Sequence, residues 1–560
     1  MFKRILFFLS KKITGLHQAA YIIGFFTLLS QVLGLVRDRL LAYTFGANTT
    51  VDIYYAAFRV PDLILVVAGS IVSISVLVPF LTKKIAQSKE VAEEFIDVVF
   101  TIFFISVVAI CIPLYFLMPS LIQVVFPGIT DATAQTDLIF LARLFLLSPV
   151  LLGLSNIFAS IIQVYRRFLI YAISPLLYNL GIIIGIAALY PYFGITGLGL
   201  GVILGVAMHV GIQLPFIIKQ GFAPRWFFPK DRSEIWKVVR NSLPRTFTLS
   251  INKLAMLFLI SLASLLAPGS IAIFNYAWNL QSVPMALVGA SYSLAAFPVL
   301  SQLFSDGDMK GFMRQVQTAI RHVVFWSLPI LSLFIVLRAQ IVRTILGAGE
   351  FGWIATRLTA ASLSLFVISV VAQSLVLVLV RAYYAADDTM TPLITSVIGG
   401  TTILGAAYGL MAAFQNIPVF RFFLENLLRV RGIEGTGVLV LPLAYSFGML
   451  IMVVILWYVF QDKFGRFPLS MYRSLWQAAG AAVVGGFVAY GGLLFFGNWF
   501  DLTGGLGIFL QGLSAGIVGI ATMLLTLWLM DNKELHEMWQ AVRERYWHVS
   551  VESIGPAEQQ

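Results

Sequence analysis

Fourteen times between residues 17 and 530 the chain runs apolar for long enough to cross a bilayer, and that succession decides what it can fold into. A span needs about 20 mostly apolar residues. The candidates are 17–46, 52–82, 92–118, 136–165, 169–190, 195–218, 242–267, 271–304, 316–337, 358–385, 393–415, 437–460, 472–497 and 505–530. Composition agrees, with 59% hydrophobic and 11% charged residues and a mean hydropathy of +0.91. A soluble domain carries about 25% charged residues, so these 560 residues lack the polar material to clothe water-soluble domains. A soluble enzyme, a disordered chain and a disulfide scaffold are excluded, the last also because Cys111 is the only cysteine. The expected class is an all-α polytopic membrane protein.

The net charge of +11 would suit nucleic acid if it were clustered on a soluble face, but it lies in short loops between apolar runs. With the N-terminus inside, 26 of the 37 lysines and arginines fall in cytoplasmic segments and 6 in outer loops. Positive loops stay cytoplasmic, so both termini are expected there and no nucleic-acid partner is. Residues 1–16 read as a basic interfacial segment with no cleavage site. A basic loop is expected at 219–241, and a cytoplasmic tail at 531–560. Pro418–Gly432 reads as an amphipathic helix on the outer surface.

The chain also echoes itself. Tyr55-Ala56-Ala57-Phe58-Arg59-Val60 recurs as Asn275-Tyr276-Ala277-Trp278-Asn279-Leu280, with Gly69 matching Gly289 in the same register. Arg166 before Pro175-Leu176-Leu177 is matched by Arg381 before Pro392-Leu393-Ile394. The two echoes put the second span on the eighth and the fifth on the eleventh. Duplicated halves are common in transporters. The repeat predicts two parallel six-helix lobes around a central cavity, over residues 17–218 and 242–460. Two extra C-terminal helices follow within 461–530.

Ionisable side chains inside spans are costly and mark functional positions by default. The first two spans hold Arg37, Asp38, Arg39, Asp52, Arg59 and Asp62. Arg37 and Arg59 each lie 8 residues from the outer end of their span, about 12 Å deep at a helical rise of about 1.5 Å. Two guanidinium groups at one depth suit a bidentate anion site; equally, they can pair with the neighbouring aspartates and staple helices. Lys253 lies 14 residues from Ala267, near mid-membrane. Arg143 is expected in an ordinary structural ion pair. Gly181 and Gly185, with Gly197, Gly201 and Gly205, have the spacing of close helix packing. Prolines inside spans, Pro61, Pro79, Pro149, Pro284, Pro298 and Pro329, are expected to kink them.

No Gly-x-x-x-x-Gly-Lys-[Ser/Thr] phosphate loop, no His-Glu-x-x-His pair and no Gly-x-Ser-x-Gly elbow occurs. Each of those spacings serves a chemistry (nucleotide binding, zinc hydrolysis, acyl transfer). No enzyme chemistry is visible, so no enzyme, cofactor or metal is expected; a transporter, a cation-coupled drug exporter among them, and a non-transporting membrane scaffold with Arg37 and Arg59 in structural pairs are the readings left open.

Several motifs carry a resemblance. Leu29-Ser30-Gln31-Val32-Leu33-Gly34-Leu35-Val36-Arg37-Asp38, then Phe45-Gly46-Ala47, Asp52 and Ala57-Phe58-Arg59-Val60-Pro61, resemble the start of the MurJ/MviN family of lipid II flippases. Gly269-Ser270, Tyr276-Ala277, Gly349-Glu350-Phe351 and Asp388-Thr389-Met390-Thr391-Pro392 continue it. The family shares a superfamily with polysaccharide-lipid exporters and multidrug antiporters. The resemblance implies movement of an undecaprenyl-pyrophosphate-linked peptidoglycan precursor across the bacterial inner membrane for cell-wall synthesis. Its partners would be that lipid, membrane lipids and cell-wall synthesis proteins. By matching position, Arg37, Asp38, Asp52 and Arg59 carry over as site residues. Gln31, Leu65 and Asn279 stand where the family has arginines, and Ser70 where it has glutamate. Lys253, at a position usually uncharged, is the expected replacement cation.

Overall fold

In a computed structural model the described residues are 16–69, 74–222, 224–227 and 233–547, and among them every regular element is helical. Ser70, most of the 1–16 segment and the end of the tail lie outside the described residues. The helices begin α1 Leu16–Phe45, α2 Thr49–Ala57, α3 Arg59–Gly69, α4 Ile74–Gln87, α5 Lys89–Val125, α6 Ala132–Phe145, α7 Leu147–Val164 and α8 Phe168–Ile184. They continue with α9 Tyr190–Phe193, α10 Ile195–Gly211, α11 Leu214–Lys219, α12 Ser233–Ser264, α13 Ser270–Pro284, α14 Ser291–Ser305, α15 Met309–Val336 and α16 Arg338–Ile345. The last are α17 Trp353–Ala385, α18 Met390–Asn416, α19 Pro418–Leu427, α20 Val440–Phe464, α21 Leu469–Phe496, α22 Gly505–Leu529 and α23 Lys533–Trp547.

Twelve membrane-crossing segments among the described residues are long and apolar enough, and they are the third to fourteenth expected spans. The expected count of about fourteen is therefore not reached by that measure. The first expected span, α1, carries Arg37, Asp38 and Arg39 near its end. The described part of the second comprises α2, α3 and α4, and α2 and α3 part at Phe58.

The α2–α3 break has a local cause. Pro61 has no N–H to give the carbonyl of Ala57, so α2 ends there and the ladder restarts with Asp62 donating to Phe58 O at 2.8 Å. Pro149 stands in the same relation to Phe145, where α6 gives way to α7. Pro79, Pro298 and Pro329 stay inside continuous helices. Asn48, Ser88 and Asp131 cap α2, α5 and α6 by accepting from the N–H three residues on, the side-chain pairing that helix starts require.

The chain divides into two compact units. The first comprises Met1–Val283, Ile341–Ser369 and Asp387–Leu456. In it the glycine spacing does what it predicts: a Cβ on Gly181 would lie 2.2 Å from Gly205 Cα, and one on Gly185 2.5 Å from Gly201 Cα. The α8 and α10 backbones touch, and no larger residue fits. The amphipathic segment is helical only over Pro418–Leu427, because Arg429 turns to φ +59. Val419, Phe422, Phe423 and Leu427 are exposed, while buried Glu425 accepts from Arg421 and Thr436 at 2.8 and 2.7 Å. At its other end α12 begins at Ser233, so the last residues of the expected 219–241 loop are helical.

The second unit comprises Pro284–Gln340, Val370–Ala386 and Trp457–Gln560. Phe325, Ala481 and Leu527 form its buried centre, with Leu535 and Met538 of α23 packed on them. Glu534 at the start of α23, 1% exposed, lies 3.4 Å from Arg321 of α15.

Candidate functional site

Three of the glycine motifs singled out in the sequence converge in the first unit. Gly46, Gly269 and Gly349 adopt φ +70, +87 and +59, a region open to glycine at little steric cost. A Cβ on Gly269 would lie 2.3 Å from Ala47 O, one on Gly46 2.5 Å from Glu350 O, and one on Gly349 2.2 Å from Tyr43 O. The turn after α1 is thus clasped by backbone from two distant segments. Glu350 N donates to Tyr43 O at 3.0 Å and Tyr276 Oη to Gly46 O at 3.1 Å. Arg39 donates to the carbonyls of Thr344 and Ile345 at the end of α16, at 2.6 and 3.1 Å, where a cation also complements the helix dipole.

Asp52 belongs to this joint. Its two oxygens accept from Gly269 N at 2.6 Å and Ala272 N at 2.7 Å, so it caps α13 from another helix. Charge-assisted bonds of this kind contribute about 1.5–3 kcal/mol each, and the positive end of the helix favours the carboxylate.

About two turns deeper along α1 lies a second network. Asp38, 2% exposed, accepts on one oxygen from Arg37 Nη2 at 2.8 Å and Nε at 3.0 Å, and from Tyr55 Oη at 3.4 Å. Its other oxygen accepts from Asn279 Nδ2 at 2.9 Å. Arg37 Nη1 donates to Asn179 Oδ1 at 3.2 Å. Arg59 donates through Nη2 to Asn275, and its Nε is buried with no partner. Asn275 and Asn279 are four residues apart on one face of α13, so Arg59 meets that helix directly, and Asp38, which holds Arg37, meets it about one turn, some 6 Å, further on. The echoed segments face each other here: Tyr55 and Tyr276 stack edge to face with centroids 5.9 Å apart.

Lys253 sits elsewhere. Its Nζ is 3.9 Å from Asp62 Oδ2, with side chains 46% and 38% exposed. A pair that loose is worth about 0–1 kcal/mol. Of the sequence-predicted residues, Arg37, Asp38 and Asn279 form one network, and Arg59 joins them through α13. Asp52 is a cap, and Lys253 pairs with Asp62. Gln31 and Leu65 are half-buried and take no part in these contacts. Arg143, expected in a structural ion pair, has no carboxylate partner among the described residues and donates instead to Tyr115 O. Sequence reasoning did not single out Asn179, whose one signal is an amide in an apolar run.

A family model described as Lipid II flippase MurJ matches residues 41–510. A probable lipid II flippase MurJ of Rickettsia prowazekii is 26% identical over 380 residues, 68% of this chain and 75% of that protein. The lipid II flippase MurJ of Burkholderia cenocepacia is 24% identical over 386 residues, again 68% of this chain and 75% of that one. Among solved structures, lipid II flippase MurJ in an inward closed conformation superposes with a TM-score of 0.71 at 22% identity, covering 90% of this chain and 98% of that one. An inward-facing multidrug resistance MATE transporter of the MOP superfamily gives 0.63 at 15% identity, covering 79% and 96%; at such identities the likeness speaks for the fold. The chain is a multi-pass membrane protein belonging to the MurJ family of lipid II flippases.

Proposed function

We propose that this protein moves lipid II, the undecaprenyl-pyrophosphate-linked peptidoglycan precursor, from the inner to the outer leaflet of the bacterial cytoplasmic membrane, with both termini inside. The observation that carries the reading, beyond family membership, is that Arg37 and Arg59 are linked to one face of α13 a turn apart, Arg59 by Asn275 and Arg37 through Asp38, which Asn279 holds. A pyrophosphate carries charge over a similar span, and guanidinium forks bind phosphate oxygens bidentately. Asn275 occupies Arg59, and Asp38 and Asn179 occupy Arg37, meanwhile. The glycine joint and the Asp52 cap would close the outer end and part as the site turns outward, an alternating-access cycle over lobes 17–218 and 242–460.

Lys253 is the replacement for the cation missing at Asn279. It is half-exposed and its tie to Asp62 is weak, so it can exchange a carboxylate for a phosphate at little cost. The same absences, at Gln31, Leu65 and Asn279, favour one second reading: transport of another polyprenyl-linked oligosaccharide.

Complementation separates the two. A bacterium depleted of its own lipid II flippase and expressing this chain should grow, and Arg37→Ala should abolish the rescue while the protein stays in the membrane. Failure of the membrane-inserted wild type to rescue would shift the assignment to the second substrate.

A further inference from the structure

A groove of about 800 Å³ runs between α5 and the α6–α7 pair. It is separate from the Arg37–Asp38 network and from the Lys253–Asp62 pair. Val108, Ile112, Ile139, Phe140, Leu147 and Val150 make its walls apolar, and Arg143 is the one charged residue lining it. From Val108 to Pro119 it follows α5 for about 17 Å.

Arg143 is fixed there by a defect in the neighbouring helix. Pro119 has no N–H for the carbonyl of Tyr115, and Arg143 Nε donates to that carbonyl at 2.9 Å. The guanidinium carbon lies 4.7 Å from the centroid of the Tyr115 ring, a cation–π distance. These contacts hold one edge of the group. Its terminal nitrogens donate to no described residue, and no carboxylate among the described residues neutralises it. A neutral side chain would satisfy one stray carbonyl as well, and the Tyr115 ring offsets only part of the charge, so the group lacks a counter-ion.

The level of Arg143 suggests its counter-ion. The 37 residues of α5 measure about 55 Å, some 25 Å more than the hydrocarbon core. With that excess shared between the ends of α5, Tyr115, ten residues or about 15 Å from Val125, lies at the hydrocarbon edge, where tyrosine is favoured and from which an arginine side chain reaches the phosphates. From there the groove descends to hydrocarbon depth at Val108 and Val150.

We propose that this groove binds an anionic glycerophospholipid, with the headgroup phosphate on the fork of Arg143 and one acyl chain laid along α5. The inference needs the membrane placement of α5 to α7 and is independent of the transported substrate. The test is native mass spectrometry of the full-length protein in neutral detergent with equal amounts of dioleoylphosphatidylglycerol and dioleoylphosphatidylcholine. Wild type should carry the anionic lipid in about five-fold or greater excess, the range expected for a bidentate charge-assisted contact. Arg143→Gln should bring the ratio close to one, and Arg143→Lys should keep part of it. Leu147→Trp, at a position already 48% exposed, should fill the groove and lose the preference with the charge intact. An unchanged preference in Arg143→Gln would overturn the proposal. So would displacement of the lipid by millimolar inorganic phosphate, which would make the site one for a free anion.

Discussion

The glycine joint and the Lys253–Asp62 pair both place charged or strained groups in membrane-spanning helices of one unit, yet they are built in opposite ways. At the joint, Asp52 is 7% exposed and bonded at 2.6 and 2.7 Å, and three glycines leave no room for a Cβ. At Lys253, two half-exposed side chains stand 3.9 Å apart. The first arrangement is specified by backbone geometry and has one solution. The second leaves a cation with a replaceable partner. A transporter needs both: contacts that hold a state until they part together, and charges whose attachments are weak enough to be exchanged for substrate.

The largest effect is expected where the joint has least slack. Gly269→Val adds a branched side chain at φ +87 and 2.3 Å from Ala47 O. Left-handed backbone and a backbone clash together cost about 3 kcal/mol or more. Thermal unfolding in detergent should show a clearly destabilised protein, and complementation should fail. A variant as stable as wild type would mean that the joint yields easily and does not hold the state.

Next comes the cap. Asp52→Asn keeps the shape but removes the charge facing Gly269 N and Ala272 N, for an expected loss of about 1–2 kcal/mol. Hydrogen exchange should show the amides of residues 269–272 losing protection while those of α8 and α10 do not change. Equal loss in both places would mark a global effect and deny Asp52 its local role.

The two regions also differ in how far they were legible. Of the fourteen spans that apolar length marks in the sequence, twelve recur among the described residues as long apolar helices, because burial in lipid demands apolar length whatever the tertiary contacts. In the second span the break at Phe58 is where Pro61 predicts a kink, because a missing N–H is legible in the sequence itself. Arg37 and Asp38 were readable as functional candidates because intramembrane charge is rare. That Asp52 caps α13, 217 residues on, was not readable, because a cap across helices depends on which helix ends meet. Arg143 shows the same limit from the other side: its partner is a carbonyl released by a proline 24 residues earlier, and backbone groups leave no mark in a charge pattern.

The smaller effects fall on the loose pair. Lys253→Gln breaks a half-exposed ion pair, so stability should change by less than about 1 kcal/mol, while transport of lipid II in reconstituted vesicles should slow by about ten-fold if the lysine holds substrate charge. Asn279→Arg, which restores the family's residue, should recover most of that loss in the Lys253→Gln background. It should do little in wild type, where Lys253 already supplies the charge. Additive effects in the double variant would show that the two positions act separately, since groups sharing one partner are non-additive. Asp62→Asn is the mildest change: it releases Lys253 without removing it. Stability should stay within about 0.5 kcal/mol, and the apparent substrate affinity should rise slightly, because the lysine no longer leaves a carboxylate to bind phosphate. A fall in affinity would place Asp62 rather than Lys253 on the substrate, and would move the functional charge of this loose region from the cation to its partner.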